Sequence, residues 1–185
     1  MIKASLALIA ISVCTLTTQA QTWLGGYASY WDTKDFGDAY GGGFVLQWPV
    51  HEYLAVEGRG IWFHDIKDKT AGEQIEPATL GIGPALTLAL NDRVTGYGSV
   101  VGTVFMFARD FLVEGEEVVD DDSVDFGFTF TGGLRVNLNP TWSLLAEASY
   151  NIVTIDTKAV REGKIVDDEI DMDGLGINLG VGYTW

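Results

Sequence analysis

The amino-acid sequence predicts an all-β protein, an eight-stranded antiparallel up-and-down transmembrane β-barrel. Three observations carry that expectation. Beyond residue 20 no apolar run reaches the about 20 residues that a membrane-crossing helix needs, yet mean hydropathy is +0.16 in a chain of net charge −15. Apolar and charged residues are therefore segregated along the chain rather than mixed. The apolar segments alternate with period two, as strands with one buried face do, and the connections between them alternate short and long. With no spanning helix, the structure that satisfies every backbone group inside a bilayer is a closed barrel.

The first 20 residues read as a separate unit. Lys3, an apolar stretch from Leu6 to Leu16 and the small polar run Thr17-Thr18-Gln19-Ala20 have the layout of a secretory signal peptide removed after Ala20. Residues 21–185 are then the barrel domain. Cys14, the one cysteine, lies in the signal, so the mature chain is expected to form no disulfide and no thiolate metal site. A lipid anchor on Cys14 would require a small residue before it, and Val13 is not one. The acidic balance argues against nucleic acid as a partner, because phosphates need the opposite sign.

In chain order the expected strands are Thr22–Trp31, Tyr40–Trp48, Tyr53–Phe63, Ala78–Leu90, Val94–Phe107, Phe126–Leu138, Trp142–Ile155 and Asp173–Trp185. The last is the clearest: Leu175, Ile177, Leu179, Val181, Tyr183 and Trp185 alternate with Gly174, Gly176, Asn178, Gly180, Gly182 and Thr184. Phe126–Leu138 sets Phe128, Phe130, Leu134 and Val136 against Gly127, Thr129, Thr131 and Arg135. In Ala78–Leu90 the leucine face is interrupted by Pro84, which lacks the ladder N–H and is expected to form a bulge. Both faces of Val94–Phe107 mix Val or Phe with Gly or Thr, and its lipid-facing parity stays open. Short connections are expected at Pro49–His51, Asn91–Arg93 and Asn139–Thr141, and long ones at Thr33–Ala39, Asp65–Pro77, Asp110–Val124 and Asp156–Ile170. All six tryptophans fall near strand ends, so Trp23, Trp48, Trp142 and Trp185, with Tyr183, at one rim and Trp31 and Trp62 at the other are expected to form aromatic girdles.

A charge on the lipid face near the bilayer centre costs about 2–4 kcal/mol for Arg or Lys, so strand charges should point inward. Glu57, Arg59, Arg135 and Glu147 share the Gly and Thr parity of their strands. They are expected to form an ion-pair cluster that fills the narrow lumen, with Arg135 and Glu147 bridging diagonally across the turn that pairs 138 with 142. The long connections are acidic, with Asp110, Glu114, Glu116, Glu117 and Asp120–Asp122 in one and Asp156, Glu162 and Asp167–Glu169 in another. They are expected to be solvated surface, with divalent cations as candidate partners. No catalytic, cofactor or metal-ligating set is expected; His64 stands without a nearby serine, and His51 reads as a turn residue.

The signal, the eight strands, the stretch from Thr131-Gly132-Gly133-Leu134-Arg135 to Pro140-Thr141-Trp142-Ser143-Leu144, and the terminal Gly182-Tyr183-Thr184-Trp185 resemble the small outer-membrane β-barrel family that includes OmpX- and OmpA-type barrels. The resemblance covers the whole mature chain. It implies residence in the outer membrane of a Gram-negative-type bacterium, periplasmic termini, a monomer, and contact with outer-membrane lipid and lipopolysaccharide. In that family a C-terminal aromatic is read by the barrel-assembly machinery, and Trp185 stands at that position, where Phe is commoner. The implied role is non-enzymatic, in envelope integrity or surface interaction such as adhesion or defence. A narrow OmpW-like channel for small or apolar molecules is the alternative, a lipid A modifying enzyme the third. A soluble lipocalin-like barrel is disfavoured, since its outside would carry Lys and Glu.

Overall fold

A computed structural model describes the backbone of residues 21–34, 37–64, 66–67, 74–113, 116–161 and 164–185, and the side chains of 21–34, 37–64, 76–107, 124–154 and 171–185. The expected signal segment, residues 1–20, and the side chains of the two acidic clusters lie outside the described residues. The described residues form eleven strands: β1 Trp23–Thr33, β2 Gly37–His51, β3 Leu54–His64, β4 Ile66–Lys67, β5 Gln74–Ala89, β6 Val94–Val113, β7 Glu116–Asn137, β8 Trp142–Ile152, β9 Thr154–Arg161, β10 Lys164–Asp171 and β11 Gly174–Thr184. Eight of them, all but β4, β9 and β10, form the barrel; each pairs antiparallel with the next, and the β3–β5 and β1–β11 ladders complete the circle. No barrel edge is left open, which is what a lipid-embedded sheet requires.

Alternation decides what faces where. Leu80, Ile82, Leu86 and Leu88 of β5 and Leu175, Ile177, Leu179 and Val181 of β11 lie on the outside, whereas Thr79, Thr129, Thr131, Ser143 and Ser149 are buried within. The outer surface is apolar and the lumen mixed, the reverse of a soluble barrel. For β6 the structure settles the parity that the sequence leaves open: Tyr97, Ser99, Val101, Thr103, Phe105 and Phe107 point inward. The reason is visible in the packing, because the inward glycines of neighbouring strands make room for its rings; a Cβ at Gly133 would stand 2.8 Å from Tyr97.

Three expectations are corrected. The connection after β1 is short, spanning residues 34–36 and closed by Gly37 at φ 107° and a Thr33 Oγ1 hydrogen bond to the Gly37 carbonyl. The other long connections carry ladders of their own. β6 and β7 stay paired out to Val113 and Glu116, β9 and β10 form a separate hairpin, and β4 pairs with the start of β5. Pro84 makes no bulge, because partners on both sides keep one register, Ile82 with Gly102 and Ala85 with Ser99. The ladder to β6 lapses at Gly83 and Pro84 without an inserted residue; the irregularity falls instead between Pro49 and His51 of β2.

The girdle is corrected too. Trp48, Trp62, Trp142, Tyr183 and Trp185 are exposed on the outside, with Tyr183 bridging Trp142 and Trp185 through ring contacts of 5.2 and 6.0 Å. Trp23 and Trp31, at 3% and 0% exposure, face the lumen. Period two puts them on one face with Tyr27, Ser29 and Thr33, while Leu24, Ala28 and Tyr30 take the lipid side. Gly25 and Gly182 leave Trp23 its space.

At the β5–β6 lapse close approach replaces hydrogen bonding, since a Cβ on Gly83 would lie 2.0 Å from the Val100 carbonyl oxygen, whereas one on Gly98 would meet nothing nearer than 3.4 Å. Gly83→Ala is expected to lower the urea unfolding midpoint in lipid vesicles by the equivalent of roughly 1–3 kcal/mol, the usual overpacking cost. Gly98→Ala should leave it unchanged or raise it; equal effects at the two sites would refute the close-contact reading.

Candidate functional site

The lumen is crossed at mid-height by one hydrogen-bonded ionic network. β3 presents Glu57 and Arg59 on its inward parity, and β8 presents Glu147 from the opposite wall. All three are buried, at 0%, 2% and 4% exposure. Arg59 Nη1 and Nη2 donate to the two oxygens of Glu147, each at 3.0 Å, in the fork geometry that makes Arg–carboxylate pairs strong. The same guanidinium reaches Glu57, with Nε at 2.9 Å and Nη2 at 2.8 Å from Oε1. One cation is thus shared by two anions.

Neutral donors take up the remaining acceptor capacity. Gln47 Nε2 donates to Glu57 Oε2 at 2.7 Å and Ser99 Oγ to Glu57 Oε1 at 2.7 Å. Asn178 Nδ2 donates to Glu147 Oε1 and the Tyr97 hydroxyl to Oε2, both at 2.6 Å. Ser99 also hydrogen-bonds Thr131. Among the described residues, the six barrel strands besides β3 and β8 lend no charged group to this cross-link. A buried charge that is paired and fully hydrogen-bonded is tolerable, whereas an unpaired one is not.

Arg135 does not bridge to Glu147. The expected register is present, with Asn137 opposite Ser143 and Gly133 opposite Glu147, but the Tyr97 ring stands over Gly133, between the two groups. The guanidinium instead stacks on Trp23 and Tyr97, 4.8 and 5.6 Å from the ring centroids, and its Nε has no hydrogen-bond partner. Tyr97 therefore joins the two: its hydroxyl holds Glu147 while its face meets Arg135. Trp23, below, donates Nε1–H to Ser143 Oγ at 2.9 Å.

Above the network the lumen turns polar and uncharged, then apolar. Thr103, Thr129 and Asn151 are linked by hydrogen bonds of 2.9 Å. Over them Trp31 contacts Phe63 and Phe105 at centroid distances of 5.1 and 6.2 Å, Phe105 stacks on Phe107, and Met172 and Val153 complete the layer. Met172 is held there by its N–H bond to the Val153 carbonyl, at the base of the β9–β10 hairpin, and Lys34 pairs with Asp171 beside it, holding that carboxyl below the usual carboxylate range. His64 ends β3 on the outside beside Trp62, and His51 ends β2. Among the described residues no group of three or more His, Cys, Asp or Glu converges on a point where a metal ion could sit.

Sequence parity finds Glu57, Arg59 and Glu147 but misses their neutral partners. Asn178 is the one amide side chain on the glycine face of the last strand, and Gln47 the one polar side chain among the inward positions 37–49 of β2; both are signals of the same kind. Tyr97 and Phe105 carry no such signal, because both faces of their strand mix apolar residues with Gly and Thr.

This arrangement defines a small transmembrane barrel whose lumen is crossed by an ionic network. The family described as outer membrane protein beta-barrel domain matches residues 4–184, and the chain belongs to it. Members of that family are outer-membrane proteins, which supports an outer-membrane location. No curated protein matches the chain. Among solved structures it is similar to outer membrane protein OprG of Pseudomonas aeruginosa, with TM-score 0.69 and 11% identity over 89% of this chain and 95% of that one. Ail, the attachment invasion locus protein of Yersinia pestis, crystallised with the heparin analogue sucrose octasulfate, gives 0.56 and 12% over 89% and 97%. Neisserial surface protein A gives 0.58 and 12% over 89% and 94%. At such identities the likeness is one of fold.

Replacing Arg59 by Met leaves Glu57 and Glu147 as buried like charges, and about 3–5 kcal/mol of stability should be lost. Arg135→Ala removes stacking worth about 1–2 kcal/mol, and Arg93→Ala, in an exposed turn, should change little. Unfolding midpoints that do not fall in the order Arg59, Arg135, Arg93 would remove Arg59 from the centre of the network.

Proposed function

We propose that the protein is a non-enzymatic outer-membrane scaffold with a plugged lumen, its termini and short turns in the periplasm and its long acidic hairpins displayed outward for envelope integrity or surface interaction. The single observation that carries this reading is the Glu57–Arg59–Glu147 bridge from wall to wall. An eight-stranded interior is only wide enough for side chains or one small ligand, and here side chains occupy it. The hairpins supply the outward element, since the β6–β7 ladder continues past Phe107 and Val124, beyond the apolar belt. Ail was crystallised with a polyanion. At a net charge of −15 this chain would repel one, so the partner proposed here is a cationic surface, or divalent cations that bridge the hairpins to lipopolysaccharide phosphates.

A second reading, a narrow conduit for small apolar molecules, is favoured by the apolar upper lumen around Trp31, Phe63 and Phe105. Planar-bilayer recording separates the two. The native barrel should show little steady conductance, while Arg59→Ala, which opens the cross-link, should give measurable openings. A large, stable open state in the native protein would put the conduit first.

Trp185 is proposed as the residue read by the barrel-assembly machinery. It follows β11, its N–H bonds the Thr22 carbonyl at 3.2 Å, and its exposed ring extends the outer aromatic row of Trp142 and Tyr183. Deleting it should reduce the heat-modifiable, folded fraction in the outer membrane severalfold while secretion continues. Unchanged assembly would show that this signal lies elsewhere.

A further inference from the structure

The outer wall is not uniformly convex. Along β6 the lipid-facing positions Gly96 and Gly98 carry no side chain, between Leu86 and Leu88 of β5, with Leu90 just past its end, and Phe130 and Leu134 on β7. The result is two hollows that meet at Leu86 and Gly98. One, of about 440 Å³, runs from Tyr53 past Leu88 and Leu90 to Gly96; the other, of about 670 Å³, continues past Pro84 and Val100 to Phe130. Together they form one channel-like groove on the membrane face, starting at the end of the barrel that carries the short turns.

We propose that this groove is a binding site for one acyl chain of a phospholipid in the leaflet at the turn end. Inside a bilayer an empty hollow of this size cannot persist, and water cannot enter so apolar a lining. Lipid tails are as apolar as leucine, so selectivity comes from contact rather than from the hydrophobic effect. A chain in the groove touches protein on its floor and both sides, whereas one on the convex wall touches protein on one side only, and each added atom pair contributes dispersion.

The mouth of the groove suits the rest of such a lipid. Tyr53, half-exposed, lines the turn-end hollow at the level where tyrosine sits among headgroups. Arg93 lies in the turn three residues before Gly96, exposed, where a guanidinium can meet a phosphate. Asp92 beside it makes that end a mixed rather than a strongly basic one, so a zwitterionic or singly anionic headgroup is the match. The choice of phospholipid over lipid A rests on the periplasmic orientation proposed above; the groove itself does not.

The glycines make a clean test. A Cβ at Gly96 would meet Leu90 at 3.5 Å and one at Gly98 the Thr131 carbonyl at 3.4 Å, ordinary contacts, so larger side chains there fill the groove without displacing the backbone. The mature barrel is folded into vesicles of palmitoyl-oleoyl phosphatidylethanolamine and phosphatidylglycerol doped with lipid A, extracted in mild detergent and weighed by native mass spectrometry. The native protein should retain one phospholipid, and Gly96→Leu/Gly98→Leu should lose it severalfold with unchanged heat-modifiable mobility. Equal retention by the two proteins, or retention of lipid A in place of phospholipid, overturns the proposal. Should the double variant misfold, the native barrel in nanodiscs decides alone: acyl-methylene cross-relaxation to the Gly96 and Gly98 amides supports the site, and its absence overturns it. Conductance plays no part in either readout, so failure of the plug would not be mistaken for failure of the groove.

Discussion

Closure of eight strands around a lumen only one or two side chains wide is the constraint from which most of this molecule follows. Inward positions on facing walls compete for the same volume, so large residues must sit opposite small ones. Trp23 lies over Gly25 and Gly182, Tyr27 over Gly43 and Gly180, Tyr97 over Gly133, and Phe63 over Gly41. The inward glycines are therefore not signs of flexibility but the counterparts of rings. The same confinement explains the ionic network. With water largely squeezed out, Glu57 and Glu147 cannot rely on solvent, and Arg59, Gln47, Ser99, Asn178 and Tyr97 supply the donors that water would have given.

Such a network says less about net stability than its density suggests. Desolvating the charges cancels much of their attraction, and a well-packed apolar replacement of the whole set is often no worse. What the network does enforce is a specific closure. Arg59 on β3 satisfies Glu147 on β8 only when the intervening strands are all in register, so a slip by one residue, which would turn the charges toward lipid, is strongly disfavoured.

The fold was legible in the sequence because lipid imposes a one-sided pattern that local chemistry cannot blur. Outward faces such as Leu175, Ile177, Leu179 and Val181 must be apolar throughout, and alternation with glycine makes that unmistakable. Inward faces are free to be either polar or apolar, and there the pattern weakens. Hence the sequence leaves the parity of β6 open, puts Trp23 and Trp31 in the outer girdle rather than the lumen, and carries no sign of the aromatic layer over the network. The hairpins illustrate another limit, since the acidic composition of 110–122 reads as loop while its backbone continues the β6–β7 ladder. The ion pairs were half legible. Parity puts Glu57, Arg59 and Glu147 on inward faces, but only three-dimensional packing shows that Tyr97 intervenes between Arg135 and Glu147.

Glycine does opposite work on the two sides of this wall, and parity alone decides which. On the inside, Gly133 and Gly182 vanish beneath aromatic rings, and the space they leave is filled by the protein itself. On the outside no described side chain covers Gly98, and over Gly96 Leu90 and Leu134 reach in only to contact distance. Gly83 is a third case: its missing side chain lets two strands approach where Pro84 has cost them hydrogen bonds, so the wall stays shut at its weakest seam. A barrel that seals its lumen with rings and charges, and its seam with a glycine, leaves its lipid-facing glycines as the hollows that only the surrounding bilayer can complete.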